Sequence, residues 1–277
     1  MRHIVDISKW NDKINWPVAA PQIELAICRV QYGSNLVDHL YNEHVTKLES
    51  YGIPHAAYAY GCFVSVADAI VEAKDFLARV NPNAKFLVLD VEDDTVKSMK
   101  SKGNLNDLAK ASQAFINTCK AAGWKVGFYV AHHMYGEYNL QSVQADFVWL
   151  PRYGTNDGNP QKKPSYPCDI WQYTDNGHID GIGKVDINLL EGDKTLGWYI
   201  NNVHEVQASK QNIIQSGAFS PYETPEVMAA LTSVKMTADF ILQSDGLTYF
   251  VSKPTSDAQL KAMKEWLDCK EWWYEDK

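Results

Sequence analysis

The sequence lacks three features that would place it in common functional classes. Its 277 residues carry a formal charge of −8 at pH 7, which disfavours a nucleic-acid-binding protein held by phosphate contacts. No stretch approaches the roughly 18 uninterrupted apolar residues of a transmembrane helix, so no membrane partner is expected. The N-terminus has no basic segment followed by a long apolar run, so we expect no signal peptide.

Metal-binding and redox motifs are also missing. The five cysteines are scattered and none belongs to a Cys-x-x-Cys pair, so a reduced protein made in the cytoplasm is the simplest interpretation. His132 and His133 are adjacent, and adjacent side chains at a strand end point to opposite faces. They therefore cannot both bind one ion without a turn. We predict no metal site and no cofactor.

Apolar and aromatic residues are abundant by contrast. Hydrophobic residues make up 45% of the chain and aromatic residues 12%, which supports a sizeable core. The length exceeds what one domain usually needs, and a large domain followed by a small module fits it.

The segment of residues 86–94, Phe-Leu-Val-Leu-Asp-Val-Glu-Asp-Asp, is the most informative in the chain. Its apolar beginning predicts a short strand buried on both faces, as in a parallel sheet. Because strand side chains alternate between faces, Asp90 and Glu92 point in the same direction. Two carboxylates this close repel each other, so one tends to stay protonated, and a protonated acid beside an ionised partner can cleave a glycosidic bond. The alternative interpretation is a strand that simply runs into an acidic turn.

Other short apolar runs likewise end in polar or aromatic residues. Between them, apolar residues at helical spacing mark residues 66–80 and 105–122. This alternation predicts an α/β fold, an irregular (β/α) barrel of the TIM-like type whose site lies at the carboxyl ends of the strands. The runs are residues 3–6, 25–30, 55–60, 125–131, 147–150, 169–173 and 185–188.

Seven motifs follow one another along residues 1–197 without large gaps: IVDISKW, AAYAYGCF, FLVLDVEDD, GFYV, VWLPRYG, DIWQYTDNG and VDIN. In this order they resemble the strand motifs of glycoside hydrolase family 25, the N-acetylmuramidase (lysozyme) family of phage endolysins and of some bacterial and fungal muramidases. The most specific part is the Asp-x-Glu strand in combination with Asp6 and with the pair Asp186 and Asn188.

The resemblance implies a cleft with four carboxylates. Glu92 matches the general acid/base of the family. Asp90 matches the partner that orients or stabilises the 2-acetamido group of the substrate, and the choice between an oxazolinium intermediate and a covalent ester on Asp90 stays open. Asp6 and Asp186 match two further carboxylates, to which we assign electrostatic and positional roles. Carboxylates suit this task because they stabilise an oxocarbenium-like transition state more than the neutral ground state.

Aromatic residues near the strand ends are candidates for a sugar platform, because sugar rings pack their C–H faces on aromatic rings. We assign Trp149 and Phe63 mainly to barrel packing, which is the alternative for every aromatic residue here. The residues expected to bind substrate are Tyr58, Tyr60, Tyr129, Tyr153, Trp171 and Gln172.

The chain changes character after Trp198. We predict a catalytic domain at residues 1–198, a polar linker at 199–216 and a small α+β domain at 217–277. In the small domain, Thr224 and Pro225 read as an N-cap and the first residue of a helix. Two strands flank an Asp-Gly turn signal at residues 245–246, and a second helix spans residues 260–267.

This tail resembles the cell-wall-binding domain of Bacillus-phage endolysins, along SPYETPEVMAALTSV and TADFILQSDGLTYFVSKPTSDAQLKAMKEWLD. The resemblance implies binding to a cell-wall polymer of a Gram-positive host. From Ala218 onward six lysines face ten acidic residues, a net charge of −4, so simple attraction to an anionic polymer is disfavoured and specific pockets are needed. The alternative is a stabilising or dimerising appendage, which leaves a homodimer through the tail open.

Taken with the resemblance, these features lead to one expected function and two alternatives. We expect a muramidase endolysin that hydrolyses the β-1,4 bond between N-acetylmuramic acid and N-acetylglucosamine in peptidoglycan. Such an enzyme would wait in the host cytoplasm until a separate membrane pore lets it reach the wall. The alternatives are an N-acetylglucosaminidase or chitinase-like glycosidase on the same scaffold, and a non-catalytic wall-binding protein.

Overall fold

The computed structural model describes residues 2–201 and 212–277. The chain separates into two compact units, Met1–Val206 and Gln207–Lys277. Most of the predicted linker, residues 202–211, lies outside the described residues. None of the helices in the described ranges combines the length and the apolar character needed to cross a bilayer.

The first unit is built on a closed barrel of eight strands. Seven of them run parallel in the order β1-β2-β4-β5-β6-β7-β8, and β9 closes the barrel antiparallel to both β8 and β1, while the short β3 extends β2 at the edge. The strands are β1 (His3–Ile7), β2 (Ile23–Tyr32), β3 (Leu36–Val37), β4 (His55–Tyr60), β5 (Leu87–Val91), β6 (Val126–Val130), β7 (Phe147–Pro151), β8 (Ile170–Ile179) and β9 (Gly183–Leu190).

Helices connect most of the parallel strands. Short 3-10 turns occupy Ala20–Gln22, Leu105–Asp107 and Leu140–Ser142. The α-helices are α1 (Trp16–Ala19), α2 (Tyr41–Ser50), α3 (Val66–Arg79), α4 (Asp93–Ser101), α5 (Leu108–Ala121), α6 (Met134–Glu137) and α7 (Leu196–Ile200). The predicted barrel and its two long helices are therefore confirmed, although the second begins as a 3-10 turn and α2 and α4 were not predicted.

Side-chain alternation divides the first unit into two apolar layers. The outward faces of the strands pack against the helices, as Leu87, Leu89 and Val91 of β5 do. The inward faces fill the lower part of the barrel with a second apolar cluster. Its buried members are Ile4, Leu25, Ile27, Ala56, Phe86, Val88, Tyr129, Phe147, Trp149, Ile170 and Tyr199.

The last connection of the barrel differs from the predicted strand–helix alternation. β8 and β9 form an antiparallel hairpin, so no helix separates them. Its turn contains Asp180-Gly181, a sequence typical of tight hairpins. Gly181 has φ of +89°, and a Cβ there would lie 2.8 Å from the Asn15 carbonyl oxygen, so glycine is required on both counts.

The second unit has its own sheet and core. Four antiparallel strands lie in the order β11-β12-β10-β13, and two helices pack a core around Phe250, Met263 and Leu267. A 3-10 turn at Pro221–Glu223 precedes the first helix. The elements are β10 (Ile214–Ser216), α8 (Thr224–Ser233), β11 (Ala238–Leu242), β12 (Thr248–Ser252), α9 (Asp257–Cys269) and β13 (Tyr274–Asp276).

The small unit follows the sequence prediction with two differences. The Asp245-Gly246 hairpin joins β11 to β12, as predicted. Thr224 is the first residue of α8 rather than its N-cap, because Ser220 caps the preceding 3-10 turn and the helix continues from it. β10 lies within the stretch predicted as linker, and it pairs with β12 and β13, so the folded module begins earlier than residue 217.

Candidate active site

Four carboxyl side chains meet at the carboxyl ends of the parallel strands. Asp6 lies on β1, Asp90 on β5, Glu92 just after β5 and Asp186 on β9, directly opposite Asp6 in the β1–β9 register. All four line one small cavity of about 60 Å³. The structure therefore brings together the four residues that the sequence singled out as catalytic. The other lining residues are Tyr58, Tyr129, Trp149 and Gln172.

Strand alternation places Asp90 and Glu92 in this cavity. Phe86 and Val88 occupy the same inward face lower in the barrel, so Asp90 is the next inward position. Glu92 follows at the junction of β5 and α4, where its backbone N–H donates to the Thr95 hydroxyl oxygen at 3.2 Å. The Thr95 hydroxyl donates in turn to the Gly61 carbonyl at 2.6 Å. The junction that carries Glu92 is thus tied to the loop after β4.

A hydrogen-bond network fixes Asp6. The Gln172 amide donates to both carboxylate oxygens at 3.1 and 3.0 Å, and the Asn188 amide donates to one of them at 2.8 Å. The Gln172 carbonyl oxygen accepts from the hydroxyls of Tyr129, at 3.0 Å, and of Tyr153. Because both ends of the Gln172 amide are engaged, its orientation is determined, and with it the orientation of Asp6.

Burial raises the pKa values of these carboxyl groups. Burial raises the pKa of Glu92 to about 7, and the charges of Asp93, Asp6 and Asp94 add to the shift. Burial also raises the pKa of Asp186 to about 9, reinforced by the charge of Asp6 and by a hydrogen bond to it. At neutral pH, Asp186 is therefore protonated and donates to Asp6.

The pKa of Asp6 is raised by burial, against the opposing effect of hydrogen bonds from Asn188, Gln172 and Asp186. The pKa of Asp90 is raised well above its ordinary value by burial first, and then by the charges of Glu92 and Asp6. The Arg29 guanidinium opposes the shift of Asp90. Arg29 itself is buried and pairs with Asp38 at 2.9 Å, a contact that the sequence did not indicate.

One oxygen of Asp90 has no hydrogen-bond partner. Its Oδ1 is buried, and no donor reaches it among the described residues. An unsatisfied buried acceptor is costly, and in an active site it marks the place where a substrate donor fits. The cavity thus combines an acid with a raised pKa, Glu92, with an acceptor, Asp90 Oδ1, that has no protein partner.

The four predicted substrate-binding tyrosines differ in their distance from the cavity. Tyr58 and Tyr129 line the cavity, and Tyr153 lies beside it through its bond to Gln172. Tyr60 stacks on Tyr32 with ring centroids 4.5 Å apart, and its hydroxyl oxygen accepts the Asp94 N–H at 3.4 Å. Tyr60 therefore supports the first turn of α4 beside Glu92.

Trp171 lies away from the cavity, whereas Gln172 lines it. Trp171 is 2% exposed, packs in the outer core between barrel and helices, and donates its indole N–H to the Arg152 carbonyl at 2.8 Å. Adjacent strand residues face opposite ways, so Trp171 points outward because Gln172 points inward. Gln172 is in the cavity wall, but its amide is fully used by protein groups. Phe63 is buried in the outer core, whereas Trp149 forms part of the cavity wall and donates to Asn188 at 2.8 Å.

The sequence did not reveal a second part of the cleft. A depression of about 320 Å³ shares Asp6, Tyr58 and Asp186 with the catalytic cavity and continues past them. No strand or helix pattern points to Ser8, Trp10 and Asn11, which lie on the loop after β1, although Trp10 belongs to the IVDISKW motif. The additional lining residues are Ser8, Trp10, Asn11, Asp175 and Lys184.

The two adjacent histidines have different partners. His132 accepts the Ser165 N–H at 3.0 Å, and His133 lies 3.5 Å from Asp93. Across residues 2–201 and 212–277, no group of three or more His, Cys, Asp or Glu side chains is arranged to hold a metal ion.

Comparison with known proteins identifies the family of the first unit. The family model "Glycosyl hydrolases family 25" matches residues 5–182, and the model "PlyG Cell wall binding domain" matches residues 233–276. A lysozyme of Streptococcus phage Cp-9 is 32% identical over 143 residues, which cover 48% of this chain but only 39% of that protein. The chain thus spans less than half of the curated relatives it matches.

Solved structures of endolysins and of glycosyl hydrolases are also similar to the first unit. The catalytic domain of endolysin ply40, from bacteriophage P40 of Listeria monocytogenes, is 31% identical with a TM-score of 0.64, covering 74% of this chain and 97% of that one. A glycosyl hydrolase 25 of Streptococcus pneumoniae, the virulence factor GHIP, is 28% identical with a TM-score of 0.62, covering 74% and 90%. Since the family model matches well over half of the sequence, the chain belongs to family 25 of the glycosyl hydrolases.

Proposed function

We propose that the chain is a phage endolysin with muramidase activity, which hydrolyses the β-1,4 bond between N-acetylmuramic acid and N-acetylglucosamine in peptidoglycan. The observation that carries the proposal is the placement of Glu92. Its carboxyl group lines a cavity together with three other carboxyl groups, with its pKa raised to about 7. A carboxylic acid that keeps its proton near neutral pH can donate it to a leaving glycosidic oxygen.

The remaining residues suit the other parts of glycoside hydrolysis. Glu92 protonates the glycosidic oxygen, the bond to the anomeric carbon breaks, and the Glu92 carboxylate then accepts a proton from the water that attacks this carbon. The free Oδ1 of Asp90 can accept the N–H of the substrate 2-acetamido group, which would orient the acetamido oxygen toward the anomeric carbon. Attack by Asp90 itself, with a covalent ester, is the other route. Asp6 contributes negative charge, and the protonated Asp186 holds the cavity shape through its hydrogen bond to Asp6.

The relatives support this assignment. Proteins called lysozymes in two Streptococcus phages match along the first unit, and a Listeria phage endolysin shares its fold and 31% of its residues. The second candidate is an N-acetylglucosaminidase or chitinase-like activity, because the Asp-x-Glu strand also occurs in chitinase-type barrels. Retention of all four carboxyl groups weighs against a non-catalytic wall-binding protein.

Analysis of the new reducing ends in digested peptidoglycan tests the proposal. Purified walls are digested, the new ends are reduced with borohydride, and the reduced sugars are identified after acid hydrolysis. Reduced muramic acid is the expected product. Reduced glucosamine would transfer the assignment to the N-acetylglucosaminidase candidate, and intact walls would leave only wall binding.

We propose further that the tail binds a cell-wall polymer of a Gram-positive, Bacillus-like host. The match of residues 233–276 to a cell-wall-binding domain supports this. A fluorescent protein fused to residues 212–277 should label Bacillus cells and leave distant Gram-positive species dark. If it labels no cells and sediments as a dimer, the tail is an oligomerising appendage instead.

The enzyme would act at the wall after a separate pore releases it from the host cytoplasm. The phage origin of the matched lysozymes and of ply40 supports this part of the proposal. In a host strain that carries no prophage and expresses this chain alone, the cells should therefore lyse only after a pore-forming agent is added.

A further inference from the structure

The loop after β1 presents an exposed tryptophan at the cleft. Trp10 is 77% exposed and lines the depression that continues from the catalytic cavity. Three residues, Asp6, Tyr58 and Asp186, line both the depression and the catalytic cavity. A ligand bound in the cavity can therefore extend into the depression. Large exposed aromatic side chains beside a polar cleft are characteristic of binding surfaces rather than of folding cores.

Several hydrogen bonds hold this loop in place. The Ser8 N–H donates to the Asn11 side-chain oxygen at 3.0 Å, and the Asn11 N–H donates to the Ser8 carbonyl at 2.9 Å. The Lys9 N–H donates to Asp38 at 2.9 Å, and the Asn11 amide donates to the Lys184 carbonyl at 3.2 Å. The backbone around Trp10 is therefore positioned by Asp38, just after β3, and by Lys184 of β9, while the tryptophan itself stays largely exposed.

The indole lies close to a cationic side chain and shares the depression with a carboxylate. The Lys9 ammonium lies 4.8 Å from the ring centroid. Asp175 also lines the depression. One of its oxygens accepts from the Asn156 side-chain amide at 2.6 Å, and the Asn156 side-chain oxygen accepts from the Thr174 hydroxyl at 2.8 Å. This fixes Asp175 and leaves its other oxygen as an acceptor. An aromatic face in the same depression as a fixed polar acceptor suits a sugar ring, since the ring has apolar C–H faces and hydroxyls at its edge.

We propose that Trp10 and Asp175 form an additional sugar subsite, which binds a residue of the glycan strand beyond the bond that is cleaved. Trp10 packs on the face of that sugar, and Asp175 accepts a hydrogen bond from one of its hydroxyl groups. The volume of about 320 Å³ is enough for one hexose ring. The inference rests on the proposed function for the nature of the strand.

Binding of peptide-free glycan strands to a non-hydrolysing background tests the subsite. Strands are freed of stem peptides with an amidase, and their affinity is measured by calorimetry for the full chain carrying E92Q. Adding W10A should weaken binding about tenfold, which corresponds to about 1.4 kcal/mol. Adding Trp10→Phe, which keeps an aromatic face, should restore most of the affinity.

Tyr51 provides the matched control. It is an exposed aromatic residue of the same unit, 46% exposed after α2, and it lines neither part of the cleft. Tyr51→Ala should leave the affinity unchanged. In active enzyme, W10A should raise KM for long strands about tenfold and leave kcat within about twofold, because the subsite binds ground state and transition state alike.

Three results would overturn the subsite. First, in the E92Q background, W10A could bind peptide-free strands as tightly as Tyr51→Ala does. If the active enzyme still produces muramic acid at the new reducing ends, the proposed function would stand without the subsite. W10A could weaken binding only to strands that carry stem peptides, and the tryptophan would then contact peptide rather than sugar. If the E92Q parent binds no glycan strand and the active enzyme cleaves none, the proposed function fails and the subsite fails with it.

Discussion

The two ends of the barrel interior have opposite character although the same strands build both. Near the amino ends of the parallel strands the interior is closed by apolar side chains such as Ile4, Val88 and Ile170. Two residues further along the same strands, the inward positions carry Asp6, Asp90 and Gln172. The apolar floor stabilises the fold, and because it excludes water from below, it also desolvates the carboxyl groups and raises their pKa values.

The largest expected effect is on catalysis at the polar end. Glu92→Gln keeps the side-chain shape but removes the proton that is donated, so the rate of wall hydrolysis should fall by about two to four decades. Turbidity reduction of purified walls measures the rate, and sedimentation with walls should show that binding survives. Glu43→Gln, on the exposed side of α2, is the control. Retention of more than about a tenth of the activity would mean that the acid is misassigned.

The apolar end should respond in stability rather than in chemistry. Phe86 is fully buried and packs edge-to-face on Phe147, with ring centroids 5.1 Å apart. Phe86→Ala should lower the free energy of unfolding by about 3–5 kcal/mol, measured by denaturant titration.

The folded fraction of this variant should keep its kcat. If Phe86→Ala does not fold, Phe86→Leu can replace it in this test, with a smaller expected loss of stability. A hundredfold fall in kcat at unchanged stability would contradict the separation of the two ends.

A third prediction concerns the stability cost of the buried acid. The pKa of Glu92 is raised from 4.5 to about 7, so the folded state holds its proton more tightly than the unfolded state. Stability is therefore lost as pH rises from about 4.5 to about 7. Glu92→Gln removes this loss, and the variant should be more stable than the parent by about 1–3 kcal/mol at pH 8, with no such gain at pH 4.

Thermal unfolding at the two pH values measures this difference. A stability gain that is equal at pH 4 and pH 8 would show that the substitution acts through packing and not through the proton.

The smallest expected effect comes from the neighbouring charge. Asp93 raises the pKa of Glu92, but its side chain is 69% exposed, so solvent screens much of the interaction. Asp93→Asn should move the alkaline limb of the pH–rate profile to lower pH by a few tenths of a unit. The parent rate should fall as pH rises through about 7, because the acid loses its proton. A profile that is flat between pH 4 and 9 would argue against a coupled carboxyl pair.

Strand alternation accounts for how much of the site the sequence could predict. It placed Asp90 and Glu92 on one face, and both do line the cavity. The same rule forbids Trp171 and Gln172 from facing the cleft together, so assigning both to substrate neglected information that the sequence contains. The Asp180-Gly181 turn was likewise available as a signal for the β8–β9 hairpin.

Other parts depend on tertiary contacts that local sequence does not encode. Trp10 lies on a loop that is held by hydrogen bonds from Lys9 and Asn11 to Asp38 and to the Lys184 carbonyl, which are distant in the chain. Neither the pairing of Arg29 with Asp38 nor the support of Asp6 by Asn188 has a periodic pattern. Such contacts emerge only when the barrel closes.

Burial in a closed, apolar barrel raises the pKa of Glu92 to about 7, and its role as the acid depends on this shift. Carboxyl-carbon NMR of protein labelled with ¹³C-glutamate measures this directly, with Glu92→Gln identifying the resonance. We expect the Glu92 carboxyl to titrate near pH 7. A midpoint near its ordinary value of 4.5 would contradict it, because Glu92 would then be ionised at neutral pH and unable to act as the acid.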